Sequence, residues 1–437
     1  MKPISGKTAY VNARLLDPAT GLDVAGGLLT EGETIAAVGP AVCADSVPAD
    51  AEVIDCKGFC LAPGLVDMRV QLREPGEEHK ETIASASCAA VAGGVTAMVC
   101  LPNTDPVIDN DAVVEFVARR ARKVGLTKVY PYAAATKGLL GEEVAEIGLL
   151  AESGAVAFTD GTRAVGSAMV MNRLLSYAAS FGHLIVQHPE EPTLAGGDMN
   201  AGAIAGRLGL SGISPAAEWI MLERDLRLVE VTGARYHAAH ISTAESVAIV
   251  RRAKEKGLSV TCDTAPPYFI LTEEAVGEFR TFAKLSPPLR KESDRAAIVA
   301  GLRDGTIDCI ASDHSPQDAD SKRKTFHDAA FGGIGIQTLL ASTLELTRSG
   351  GLSLLDALAK VTANPAQVLK LPCGTLAAGT AADLVIFDPD RAWTVGADTL
   401  LSKSKNSPFD ETTLTGKVAR TVIDGRTVFI DGELTHG

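Results

Sequence analysis

RYHAAHISTAESVAIVRRAKEKGLSVTCD, residues 235–263, is the stretch on which the fold turns. Arg235–His240 reads as a short strand. Ala244–Lys256 is amphipathic and reads as a helix. A hydroxyl from Ser242 or Thr243 caps that helix, with Glu245 close behind. Ser259–Asp263 then reads as a second strand. A strand, a helix and a strand in so short a span make a parallel βαβ unit.

The same alternation runs outward in both directions. Upstream lie the strand candidates Leu65–Arg73, Val95–Asn103, Lys128–Thr136, Ala155–Asp160 and Leu184–His188; downstream lies Ile307–Asp313. Amphipathic stretches at Asp111–Val124, Ala216–Val231 and Ser293–Asp304 separate them. Eight strand candidates alternating with helices predict an α/β fold, a (β/α)8 TIM barrel over residues 59–373. No glycine-rich phosphate turn follows the first strand, which argues against an open doubly wound sheet. The two ends of the chain are different in style. Thr8–Leu16, Thr34–Val38 and Glu52–Asp55 are short strands. Leu384–Phe387 is another, turned by Asp388-Pro389, and Val418–Ile423 with Thr427–Ile430 form a hairpin on Asp424-Gly425. Residues 1–58 and 374–437 are therefore expected to build one small β-sandwich domain.

Composition narrows the functional classes. In 437 residues, 41 Lys and Arg stand against 54 Asp and Glu, a net charge of −13. Such a surface repels nucleic acid and anionic membranes. With 46% hydrophobic and 22% charged residues, the chain is not disordered. No apolar run is long enough to span a bilayer, and Met1–Asp17 has no signal-type apolar core. Eight Cys without a CxxC pair fit buried, reduced thiols in a cytoplasmic protein rather than disulfides or a zinc ribbon.

In a barrel the chemistry sits where strands end. The runs here end in Arg73, Asn103, Asp160, His188, His240, Asp263 and Asp313-His314. Two strand-end imidazoles and one carboxylate, His188, His240 and Asp313, suit a zinc site. Arg73 with Asn103 suits the carboxylate of a small acid, since guanidinium grips carboxylate in bidentate fashion; an internal ion pair with Glu74 or Asp67 is the other use for it. His79-Lys80-Glu81 reads as a solvated helix start. The basic run Arg119–Lys123 reads as a solvated helix end. Asp318–Lys324 reads as a mobile loop.

Several of these motifs resemble dihydroorotase, of the amidohydrolase superfamily. They are Pro63-Gly64-Leu65-Val66-Asp67 with Leu72-Arg73-Glu74-Pro75-Gly76, then Leu101-Pro102-Asn103-Thr104 and His240-Ile241-Ser242-Thr243. Pro287-Pro288-Leu289-Arg290, Ala311-Ser312-Asp313-His314 and Gly374-Thr375-Leu376 with Ala382-Asp383-Leu384 continue the likeness over nearly the whole chain. The resemblance implies a hydrolase of pyrimidine biosynthesis. It implies His188, His240 and Asp313 as metal ligands, Asp313 as catalytic base, and Arg73, Asn103 and His314 as substrate-binding residues.

The departures from that family are specific. Its first strand reads Asp-x-His-x-His-x-Arg, two histidines on one face of the strand. Here Arg69 and Gln71 stand in their places. A guanidinium cannot ligate a cation, so Arg69 is expected to pair with Asp313 or a neighbouring carboxylate. The acidic ligand of the family's fourth strand falls on Gly161, with Asp160 able to serve only after a one-residue shift. Ser286 replaces a substrate-holding Asn, and Ala265-Pro266-Pro267-Tyr268 replaces Thr-Pro-His-His. Zinc is thus expected to be weak or absent. The resemblance then implies a non-catalytic homologue, a pseudoenzyme serving as structural partner of aspartate transcarbamoylase. The other reading is an active zinc enzyme that reversibly closes N-carbamoyl-aspartate to dihydroorotate. It would use His188, His240 and a third ligand from Asp160, Gln71 or water. A hydantoinase-like specificity is disfavoured because the Lys ligand of those relatives is missing. Barrels of this family associate, which implies a homo-oligomer.

Overall fold

The computed structural model describes residues 6–349 and 351–435; the first part of the Met1–Asp17 stretch lies outside them. The chain opens with β1 (Lys7–Asp17), β2 (Leu22–Glu31), β3 (Thr34–Gly39), β4 (Ala51–Asp55) and β5 (Cys60–Pro63). Next come β6 (Leu65–Val70), β7 (Val95–Cys100), β8 (Lys128–Pro131) and β9 (Leu184–Gln187). A two-residue pair, β10 (Met199–Asn200) and β11 (Gly212–Ile213), precedes β12 (Arg235–Ala238), β13 (Val260–Thr264) and β14 (Cys309–Ile310). The chain ends with β15 (Leu384–Thr394), β16 (Thr413–Ile423), β17 (Arg426–Ile430) and β18 (Glu433–Leu434).

The middle strands pair in parallel as β6-β7-β8 and as β14-β13-β12-β9. Single parallel bridges join the two groups into a ring. Phe158 bridges Ala133 on one side and Ile185 on the other, and His314 bridges Val70. The fourth strand position is therefore reduced to one bridging residue, whereas a full strand was expected over Ala155–Asp160. The expected helices form at Asp111–Val124, Ala216–Thr232, Ala244–Glu255 and Glu292–Arg303. Thr243, not Ser242, caps the third of these by accepting from Ser246 N.

Strands from both chain ends share one sheet, in the order β18-β17-β16-β15-β5-β1-β2-β3, with β4 on β1. The sheet reaches Pro63, beyond the boundary expected at residue 58, because β5 lies between β1 and β15. Asp388-Pro389 does not end its strand: β15 continues to Thr394 across an irregularity between Asp388 and Ala392. β2 was not among the expected strands, and it carries Gly26-Gly27 in its middle. A Cβ at Gly27 would lie 2.5 Å from Tyr10 O and one at Gly26 2.6 Å from Gly39 O, so the close strand approach itself demands glycine.

Candidate functional site

The ring's strand ends surround a cavity of about 340 Å³, whose lining includes Gln71, Arg73, Asn103, His188, His240 and Asp313. Two features of β6 deliver its side chains there. Between Asp67, opposite Met98, and Val70, opposite Cys100, β6 carries one residue more than β7. Such a bulge re-aims the local side chains. Asp67 anchors the bulge: its Oδ1 accepts from Ser312 N at 3.0 Å and Arg69 N at 3.3 Å. Burial pushes this carboxyl up to about 6.

Arg69 is 1% exposed. Its Nε lies 2.9 Å from Asp313 Oδ1, and one terminal nitrogen donates to Gly161 O at 3.1 Å. The expected pairing with Asp313 is therefore present. The second Asp313 oxygen lies 3.2 Å from His240 Nδ1. His240 Nε2 and His188 Nδ1 are 2.7 Å apart, and His188 Nε2 is 3.1 Å from Glu190 Oε2. A continuous row thus runs Glu190, His188, His240, Asp313, Arg69. Burial alone would raise the Asp313 carboxyl, but the charges and hydrogen bonds of His240 and Arg69 hold it below the usual range. Burial, with Arg69 nearby, lowers His240.

A zinc ion does not fit these donors. Two imidazole nitrogens on one tetrahedral zinc stand about 3.3 Å apart, and here they touch at 2.7 Å. Both Asp313 oxygens are committed, and a fixed cation lies where a positive ion would go. Asp160 does not supply the missing ligand. It accepts from Ala135 N, Thr136 N and Thr136 Oγ1, turned away toward the third strand's loop. Gly161 offers only its carbonyl, and that accepts from Arg69. Among the described residues, no group of three or more His, Cys, Asp or Glu is placed to hold a metal ion. His188, His240 and Asp313, the expected residual metal ligands, do converge, with their polar atoms on one another.

The remaining expected residues divide. Arg73 and Asn103 both face the cavity. Arg73 pairs with Glu77 at 2.7 Å rather than with Glu74 or Asp67, and Asn103 Nδ2 donates to Gln71 Oε1 at 3.1 Å. Gln71 Nε2 in turn donates to Ser315 Oγ at 3.0 Å. His314, expected to bind substrate, is not among the residues that line the cavity. Its ring is fully buried, accepts from Gly335 N through Nδ1, and turns Nε2 toward Glu81 at 3.5 Å, beyond hydrogen-bond geometry. Asp263 supports the site from behind, accepting from His240 N at 2.8 Å and pairing with His237.

Three carboxylates went unforeseen in their roles. Glu190 ends the histidine row and accepts from Ser286 Oγ. Glu218 accepts from the backbone of Ser242 and Thr243 and so fixes the loop after His240. Glu81 is fully buried rather than solvated, bonded to Ser85, Ser402 and Lys403 N. Likewise Arg120 is not simply solvated, since it pairs with Glu74 at 2.6 Å. The Asp318–Lys324 loop is pinned, not free: it forms the short helix Ala319–Lys322, and Lys322 Nζ donates to Ala330 O at 2.7 Å and Thr281 O at 3.0 Å.

Comparison with known proteins agrees with this architecture. The family described as dihydro-orotase-like matches residues 58–246, and a broader amidohydrolase family matches residues 226–429. The dihydroorotase of Anaplasma phagocytophilum is 46% identical over 96% of this chain and 95% of its own length. That of Syntrophotalea carbinolica is 46% identical over 97% of this chain and 99% of its own. Among solved structures, the L-hydantoinase of Arthrobacter aurescens superposes with a TM-score of 0.87 over 99% of this chain and 98% of its own, at 24% identity. At that identity the likeness speaks for the fold, a TIM-barrel-like domain with an attached sheet.

Proposed function

This chain belongs to the dihydroorotase-like amidohydrolases, and from that premise we propose that it is a cytoplasmic, non-hydrolytic member of the pyrimidine pathway. It serves as a structural partner of aspartate transcarbamoylase. The observation that carries the reading is Arg69, which places a guanidinium on Asp313 and on the carbonyl of Gly161. Amide hydrolysis needs a nucleophile and a base. Asp313 is a weakened base, because Arg69 holds one of its oxygens and His240 the other, and both favour the ionised form. Activation of water by a metal would need ligands that this site spends on internal contacts.

A settled ion pair also makes physical sense here. Breaking a buried pair by removing one partner costs about 3–5 kcal/mol, so a fixed cation stabilises the carboxylate that remains. The cavity keeps Arg73 and Asn103, the residue types that grip a small carboxylate, which supports a retained ligand pocket without turnover.

Two measurements on one purified sample test this. Elemental analysis is expected to find well below one zinc per chain, and dihydroorotate hydrolysis is expected at background. Co-elution with purified aspartate transcarbamoylase on a sizing column is expected. One tightly held zinc per chain, with turnover abolished by His188→Ala, would establish the active reading instead. Separate elution of the two proteins would remove the partnership.

A further inference from the structure

We propose that Glu77 is a tethered carboxylate that fills the anion subsite of the cavity, so that this chain excludes small dicarboxylates that Arg73 would otherwise hold. The inference rests on the reading above, that Arg73 is the carboxylate-gripping group of a retained pocket.

The local chain is built to bring the two together. Arg73 sits in the left-handed region at φ 59, a conformation that costs a non-glycine residue about 1 kcal/mol or more. The turn that follows is closed by Glu77 N donating to Arg73 O at 2.7 Å. It returns the Glu77 side chain onto the guanidinium, with Oε2 2.7 Å from Nη1. Arg73 Nε is used by Pro316 O at 3.2 Å. The other Glu77 oxygen accepts from Lys80 Nζ. One carboxylate therefore bridges two cations, and both are largely buried: the Arg73 side chain is 8% exposed and that of Lys80 15%.

Among the described residues that line the cavity, Arg73 is the one Arg or Lys. Arg69 is committed to Asp313 and Gly161. An outside carboxylate that takes Arg73 Nη1 must therefore displace Glu77. A short flexible tether holds its group at an effective concentration on the order of millimolar, so a metabolite at lower concentration loses that competition. Glu77 itself remains one-third exposed at its side chain, so it can swing away without disturbing the core.

Calorimetric titration of the full chain with N-carbamoyl-L-aspartate, and separately with succinate, tests the proposal. The unaltered protein is expected to bind either probe weakly. Glu77→Gln and Glu77→Ala are each expected to tighten binding by about tenfold or more. Adding Arg73→Met to Glu77→Gln is expected to abolish the gain. Thermal melts followed by circular dichroism confirm that each variant is folded. Equal affinity in the unaltered and Glu77 variants, whether measurable or absent in both, overturns the proposal, as does a gain that survives Arg73→Met. Failure of the underlying non-hydrolytic reading would show separately, as zinc and turnover in the unaltered protein.

Discussion

At Arg69 a charge and a plug coincide. The side chain is a large, fully buried group beside the cavity and neutralises Asp313. Arg69→Met keeps much of the volume and removes the charge. It is expected to lower stability at pH 7 by roughly 2–4 kcal/mol in urea unfolding, because Asp313 is left with His240 alone. The pH dependence follows from the sign of the Asp313 shift. Its folded carboxyl lies below the ordinary value near 4. The stability it brings is complete above that value and is lost as pH falls through the lower folded one. The gap between the unaltered chain and Arg69→Met should therefore be widest above pH 4 and narrow in stronger acid. A gap that stays constant across that window would mean that Arg69 acts by packing alone. This residue was legible in the sequence because a guanidinium two positions from Asp67 cannot be a ligand, whatever surrounds it. Glu190 and Glu81 were not. Each has a partner on a distant segment that no local pattern announces, Ser286 for Glu190 and Ser402 for Glu81.

Elements with a strong period were read directly, while those shaped by tertiary contact were not. The helix Ala244–Glu255 and its Thr243 cap follow from spacing and a hydroxyl. The fourth ring position shrinks to Phe158 because its neighbours bond it from both sides at a single point. The short helix Ala319–Lys322 looked like a loop because its charges suggest solvent. In fact Lys322 is 3% exposed and ties the segment to backbone carbonyls. Nearby Lys284 does the same, donating to Phe326 O and His327 O, each at 2.7 Å. Burial pushes Lys322 down to about 7. Between that value and about 10.4, the unfolded chain holds a proton that the folded chain has released. Stability from this group therefore rises with pH across the window and is lost as pH falls below about 7. Urea unfolding at pH 7, 8 and 9 should show the unaltered protein gaining up to about 1 kcal/mol per pH unit relative to Lys322→Met. Parallel curves for the two proteins would show that the ammonium keeps its proton in the folded chain.

Over the whole molecule, one core crosses the line between barrel and sheet. Leu16, Cys60 and Ala62 pack in the same cluster as Val385, Phe387, Val418 and Phe429 from the C-terminal strands, and as Ile83 and Val95 of the barrel. Hydrogen bonds follow the same route: Thr421 Oγ1 donates to Val91 O, and Lys403 N to the buried Glu81. The alternation of strands and helices announced the barrel, and the short strands at both ends announced the sheet. Nothing in the sequence said that the two would be sewn together, because packing between segments so far apart leaves no local pattern. The consequence is testable. A fragment of residues 59–373 keeps every ring strand but loses both neighbours of β5, leaving that strand with two bare edges. It also opens the two clusters that hold Leu61 and Ala62, each fully buried in the intact chain. Unpaired edges and bared apolar surface favour aggregation. The fragment is expected to be insoluble, or to lack a cooperative melt, and the full chain to unfold in one transition by calorimetry. A fragment that melts cooperatively, with the full chain showing two transitions, would mean that barrel and sheet are separable units.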